Sequence, residues 1–220
     1  MIRFFKNLLK SGKYTFKDQD NFQDLVSNPE VRELFKSFNS ESDEVELRFV
    51  GGCVRKLICN EKIKDIDLSI NLKPEDVIEI LKKNKINYYE TGIDHGTVTA
   101  VINEKNFEIT SLRKDIKTDG RHAQVEYTKN WLDDASRRDF TINAIYSDLD
   151  GNLFDPFNGK KDLNDGLIKF IGDPAKRIKE DYLRIHRYLR FFLEYSKSKH
   201  NKEIIKIIRQ NLGGLKKISK

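Results

Sequence analysis

Helical and strand patterns alternate through the first three quarters of the chain, which predicts an α/β (α+β) protein built on a small mixed β-sheet and followed by helices. Three observations carry this. Two proline-initiated amphipathic helices, Pro29 onward and Pro74 onward, flank short apolar runs; Thr97 to Ile102 and Phe107 to Thr110 alternate like paired strands across a tight turn; and residues from Asp173 onward show a helical period with charged faces.

The first seventeen residues carry Arg3, Lys6, Lys10, Lys13 and Lys17 with no acid, which reads as a basic amphipathic helix. Asn28 then caps a helix with Pro29 at its first position, running to about Asn39. Residues 1–44 are expected to form an N-terminal helical arm. A loop from Ser40 to Glu44 leads into a strand, Val45 to Val50, which ends at Gly51-Gly52. A short helix from Cys53 to Cys59 follows, and a second strand carries Asp65 and Asp67 among Ile66, Leu68 and Ile70. Residues two apart on a strand share a face about 6.6 Å apart, so both carboxylates can serve one divalent ion or a pair. A glycine pair lets backbone N–H groups approach a triphosphate, and Arg55 lies on the first turn beyond it.

Lys73-Pro74 starts another helix, with Val77, Ile78, Ile80 and Leu81 on its apolar side, and Ile86 to Tyr89 reads as a strand. Residues 103–106 turn the chain between the next two strands, and Glu108 lies opposite Phe107 and Ile109, placed to be a third carboxylate. Asp115 to Gln124 lacks apolar periodicity and reads as a mobile loop containing Asp119 and Arg121. Trp131 to Ile145 reads as a helix on which Arg137, Arg138 and Asp139 occupy one turn, with Asn143 a turn later, able to reach a ribose hydroxyl. A long helix runs from Asp173-Pro174 to about Tyr195. At about 100° per residue Ile178, Tyr182, Ile185, Leu189 and Phe192 form its packing stripe, leaving Arg184, Arg187 and Arg190 on the opposite arc and Asp181 at the edge. An Asp beside an Arg can accept from the exocyclic amine and donate to the ring acceptor that cytosine and adenine share, and it would repel uracil and guanine. A last helix spans Asn201 to Asn211.

A net charge of +6 favours a polyanionic partner such as RNA, and two cysteines in one motif suggest neither a disulfide framework nor a zinc site. No run approaches the roughly 20 apolar residues of a membrane span, so a cytoplasmic protein is expected.

The twelve residues between Gly52 and Asp65 match the spacing of the polymerase-β-like nucleotidyltransferases. Gly51-Gly52-x-x-Arg55, Asp65-x-Asp67, Asp119-Gly-Arg121, Arg137-Arg138-Asp139-Phe-Thr-x-Asn143, Asp155-Pro-Phe and Glu180-Asp181-x-x-Arg184-x-x-Arg187 together resemble the class II CCA-adding tRNA nucleotidyltransferases and bacterial poly(A) polymerases. The resemblance implies a catalytic head over residues 45–171 and a nucleotide-selecting neck over 172–220. It implies that Asp65 and Asp67 hold two Mg²⁺ ions. Gly51, Gly52, Arg55, Arg138, Asp139, Asn143, Asp181, Arg184, Arg187 and Arg190 would bind CTP and ATP, and the loop around Arg121 would serve A addition. The partners it implies are tRNA and the two nucleotides, with a second chain or homodimer supplying the body and tail that family members carry beyond the neck. Where the family has an acid after the motif arginine, this chain has Lys56. The activity implied is template-independent addition of CCA to tRNA 3′ ends. The competing readings are a poly(A) polymerase, an enzyme adding only part of CCA, and a catalytically idle RNA- or nucleotide-binding module.

Overall fold

The computed structural model describes residues 15–16, 19–119 and 122–218. The basic helix expected before Lys17 and the predicted site residue Arg121 lie outside them. Two helices, α1 (Asp20–Ser27) and α2 (Pro29–Asn39), come first. As expected, Asn28 caps α2, its side chain accepting from the N–H groups of Glu30 and Val31. Then come β1 (Leu47–Val50), α3 (Gly52–Ile58), β2 (Ile66–Ile70), α4 (Pro74–Lys83), β3 (Asn87–Gly92), β4 (Thr97–Ile102) and β5 (Lys105–Ser111). The turn between β4 and β5 is a two-residue one, Asn103 and Glu104 both at positive φ. Five of these residue runs agree with the sequence expectation to within two or three positions, and Asp65 differs by sitting just before β2 rather than on it.

Seven strands form one mixed sheet in the order β3-β4-β5-β2-β1-β8-β9, with β8 (Tyr146–Ser147) and β9 (Leu153–Phe154) at one edge. Only β2 and β5 run parallel, which sets Asp67 directly beside Glu108. The pleat sorts the side chains by face. Leu47, Phe49, Leu68, Ile70, Val98, Phe107 and Ile109 are buried against α1 to α4, while Asp67, Ser69, Glu108 and Thr110 belong to the other face. The polar face is where the site forms.

Three elements depart from expectation. Residues read as a mobile loop form a ribbon, β6 (Arg113–Asp119) paired antiparallel with β7 (His122–Tyr127). The helix expected over Trp131 to Ile145 stops as α5 (Trp131–Arg137); Arg138 is extended, and a 3-10 turn, Thr141–Asn143, follows. The long helix after Asp173 is two: α7 (Pro174–Glu180) and α8 (Leu183–Tyr195) meet at an extended Asp181, φ −152° and ψ 109°. Counting 100° per residue through that break misplaces the stripe. On α8 the buried residues are Arg184, Ile185, Tyr188 and Phe191, and Leu189 is exposed.

With α6 (Gly159–Asp165) and α9 (Lys202–Asn211), these helices enclose a second core of Phe140, Ile142, Leu163, Phe170, Ile178, Ile185, Tyr188, Phe191 and Ile208. Residues on both sides of position 171 thus share one packed cluster. Among the described residues no helix is long and apolar enough to cross a membrane.

Candidate active site

One cleft of about 410 Å³ lies between the polar sheet face, α3, the segment after α5, and α8. It gathers eleven of the predicted residues with two others: Gly51, Gly52, Arg55, Asp67, Arg138, Asp139, Asn143, Asp181, Arg184, Arg187 and Arg190, joined by Arg137 and Phe191. Asp65 and Glu108 do not line it but stand at its rim, both exposed, one two residues before Asp67 and the other paired with it across the sheet.

Gly51 ends β1 at φ 63° and ψ −116°, a conformation that L side chains rarely adopt, and this is what turns the chain into α3. The Gly52 N–H lies against the Asp67 carboxylate rather than open to the cleft, and a Cβ on Gly52 would come within 3.4 Å of Asp67 Oδ2. Burial, with Asp65 nearby, pushes the Asp67 carboxyl above its usual value against the pull of Arg138, the Gly52 N–H and Arg55. Asp67 lines the cleft with Asp65 and Glu108 flanking it, oxygen donors of the kind a hard cation such as Mg²⁺ takes together with water and phosphate oxygens, although among the described residues no three His, Cys, Asp or Glu side chains are gathered closely enough to form a metal site by themselves.

The arginines are held from behind. Arg138 and Arg137 share the buried Asp134. Arg187 Nε donates to Asp139 Oδ2; burial alone would raise the Asp139 carboxyl, but Arg187, Asn143 and the Phe140 N–H hold it below the ordinary carboxylate value. Asn143 donates to Asp139 (2.7 Å) and accepts from Arg55, so both ends of its amide are engaged. Arg184, expected to be free on an outer arc, is 8% exposed and donates to Glu180 (2.6 Å) and to the Arg177 carbonyl (2.8 Å). Asp181 accepts from the Leu183 N–H through Oδ1 at 2.9 Å.

That leaves Arg55 and Arg190. Neither has a close carboxylate among the described residues: Arg55 has none, and Arg190 meets Glu194 only at 4.0 Å. Both guanidinium groups lie over the Phe191 ring, at 4.7 and 4.6 Å. Two guanidinium groups on one aromatic face, one from α3 and one from α8, neither held in a close ion pair, give the cleft a cationic wall suited to an anion.

A family model described as the poly A polymerase head domain matches residues 47–169. The chain belongs to that family. It is 42% identical over 216 residues to the mitochondrial CCA tRNA nucleotidyltransferase 1 of Mus musculus, covering 96% of this chain and 49% of the relative. With the CCA-adding enzyme of Lactobacillus helveticus it shares 39% over 178 residues, 79% of this chain and 43% of the relative. Among solved structures, the Bacillus stearothermophilus CCA-adding enzyme in complex with CTP superimposes with a TM-score of 0.75 at 30% identity, over 91% of this chain and 46% of that one. A tRNA nucleotidyltransferase complexed with a primer tRNA and an incoming ATP analog gives 0.65 at 26% identity, over 83% of this chain and 52% of that one. The chain thus spans about half the length of the relatives it matches. The resemblance drawn from the motifs holds, and so does the polymerase-β-like class of a mixed sheet with flanking helices.

Sequence reasoning overlooked Asp134, Tyr146 and Phe191. The first was detectable, since it stands three and four residues before Arg137 and Arg138 on one helix, the spacing of ion pairs. Phe191 was not, because the stripe was counted through the Asp181 break.

Proposed function

We propose that this chain is the catalytic and nucleotide-selecting part of an enzyme that adds CCA to tRNA 3′ ends from CTP and ATP. The observation that carries it is the convergence of the glycine turn, the carboxylates and the arginine set on one cleft. Relatives named for CCA addition at about 40% identity support the reaction, and structural neighbours holding CTP, an ATP analog and a primer tRNA support the substrates.

In this reading Arg55 and Arg190 bind the triphosphate, with Arg138 and Arg187 beside it. Asp65 and Asp67 would hold Mg²⁺, two ions in the family pattern, which would supply charge neutralisation at the transferring phosphate. Glu108, exposed next to Asp67, takes the proton of the primer 3′-hydroxyl as that oxygen bonds to the α-phosphorus. The bond to the β-phosphate oxygen breaks and pyrophosphate leaves, its charge held by the arginines. The base meets Asp181 and Arg184. Glu180 fixes Arg184 through Nη1, and Asp181 is anchored through Oδ1, so each presents its remaining atoms in one orientation.

RNA as the partner is supported by charge. Residues 196–220 hold eight Lys or Arg against the single acid Glu203, a surplus of seven in a chain whose net charge is +6. Lys202, Lys206 and Arg209 follow one face of α9, with Lys199 just before it, and all four are exposed, with no ion pair among the described residues. Labelled CTP and ATP incubated with tRNAs ending before C, CC or CCA test the reading. Stepwise extension that stops after A is expected; tails of A alone would favour the poly(A) polymerase reading that the name of the matching family also allows.

A further inference from the structure

Burying a carboxylate is costly unless its lone pairs are met, and Asp134 on α5 is completely buried. Its Oδ1 accepts from Arg137 Nε (2.8 Å), with Arg137 Nη2 also at 2.7 Å. Its Oδ2 accepts from the Tyr146 hydroxyl (2.7 Å) and from Arg138 Nε (3.2 Å) and Nη2 (3.0 Å). The charges of Arg138 and Arg137 hold the acid well below the usual carboxylate range despite its burial.

The consequence falls on Arg138. Its Nε also donates to the Tyr146 oxygen at 2.9 Å and its Nη2 to Ser69 Oγ at 3.2 Å, so one edge of the guanidinium is fully committed to groups behind it. The opposite edge faces the glycine turn: Nη1 makes a long hydrogen bond to the Asn143 carbonyl at 3.4 Å and lies 3.9 Å from where a Cβ on Gly51 would stand. A planar fork held by one edge cannot turn about its own axis. Tyr146 reinforces this, since its hydroxyl gives its proton to Asp134 and accepts from Arg138, while its buried ring packs edge-on against Trp131 at 5.2 Å.

We propose that Asp134, with Tyr146, is a positioning residue for phosphate recognition. It aims the Nη1 edge of Arg138 at the pyrophosphate portion of the nucleotide and has no part in choosing the base. This rests on the nucleotidyl-transfer reading above.

The test uses the full chain, inorganic pyrophosphate as the probe, and calorimetry on wild type, Asp134→Asn and Tyr146→Phe, with the kcat/KM ratio for CTP over UTP measured alongside. In folded protein the pyrophosphate Kd should rise about tenfold or more in Asp134→Asn and about threefold in Tyr146→Phe, the range expected for bonds to charged groups, while the CTP preference stays put. Pyrophosphate affinity within twofold of wild type in both variants overturns the proposal. So does a parallel loss of base preference, which would mark Asp134 as a support of the whole cleft. If Asp134→Asn fails to fold, Tyr146→Phe decides, because it keeps the ring packing. A wild-type chain that neither binds pyrophosphate nor transfers nucleotides defeats the functional reading itself.

Discussion

At the scale of single residues the site is a problem in charge placement. Asp67 sits half-buried beside Asp65 and Glu108, an arrangement that repels itself until a cation or a proton joins it. Removing either Asp65 or Asp67 should therefore cost on the order of 10³-fold in turnover, about 4 kcal/mol, with the fold intact by circular dichroism. Near-wild-type incorporation by both Asp65→Ala and Asp67→Ala would refute their role. Base choice is assigned to Asp181 and Arg184. Asp181→Ala should raise relative kcat/KM for UTP and GTP against CTP and ATP, since one bidentate pairing discriminates by roughly 1–3 kcal/mol. An unaltered preference places base reading elsewhere. Asp65, Asp67, Gly51, Gly52 and Arg55 were legible because their chemistry depends on local spacing. The partner of each arginine was not: Arg184 answers to Glu180, Arg187 to Asp139 and Arg138 to Asp134, and only the first and last pairs are close in sequence, four residues apart.

Elements set those partnerships. The extended Asp181 separates α7 from α8 and turns Arg184 inward, which lets Arg187 reach Asp139 across the cleft. This tie joins the α8 helix to the segment carrying Asn143, and its loss leaves Asp139, 7% exposed, without its counter-charge. Arg187→Ala should lower stability by about 1–2 kcal/mol near neutral pH, a figure kept modest because Arg187 is 43% exposed. Asp139 has a lowered carboxyl pKa, so its contribution is present above the ordinary Asp value near 4 and is lost as pH falls through the lower folded value. Urea midpoints of wild type and variant should accordingly converge in acid, and a gap that widens below about pH 4 would contradict the pairing. The proline-started helices and the β4–β5 hairpin were readable since Pro29, Pro74 and the alternation of Thr97 to Ile102 act locally. The β6–β7 ribbon was not. Arg113, Lys114, Asp115 and Lys117 put charge at both alternating sets of positions, so no period of two marks β6, and its pairing with β7 is what makes it a strand.

Over the whole molecule, charge is divided. The cleft arginines are mostly compensated, whereas the surplus sits on α9 and the residues around it, away from any acid but Glu203. If that face follows an RNA backbone, log K for tRNA should fall steeply with log salt, and replacing Lys202, Lys206 and Arg209 by alanine should flatten the slope by about 0.9 per lost phosphate contact. A slope unchanged by the triple substitution would move the RNA to another surface. The central claim is that the cleft transfers nucleotides in the CCA pattern, and the most direct measurement is single-turnover extension of a tRNA lacking its last three nucleotides, with all four labelled nucleoside triphosphates supplied separately and together. The account predicts two C additions, then one A, then arrest, each releasing pyrophosphate and each abolished by Asp67→Ala. Incorporation of UTP or GTP as readily as CTP and ATP, or no transfer by a folded chain that binds both nucleotide and tRNA, would contradict it.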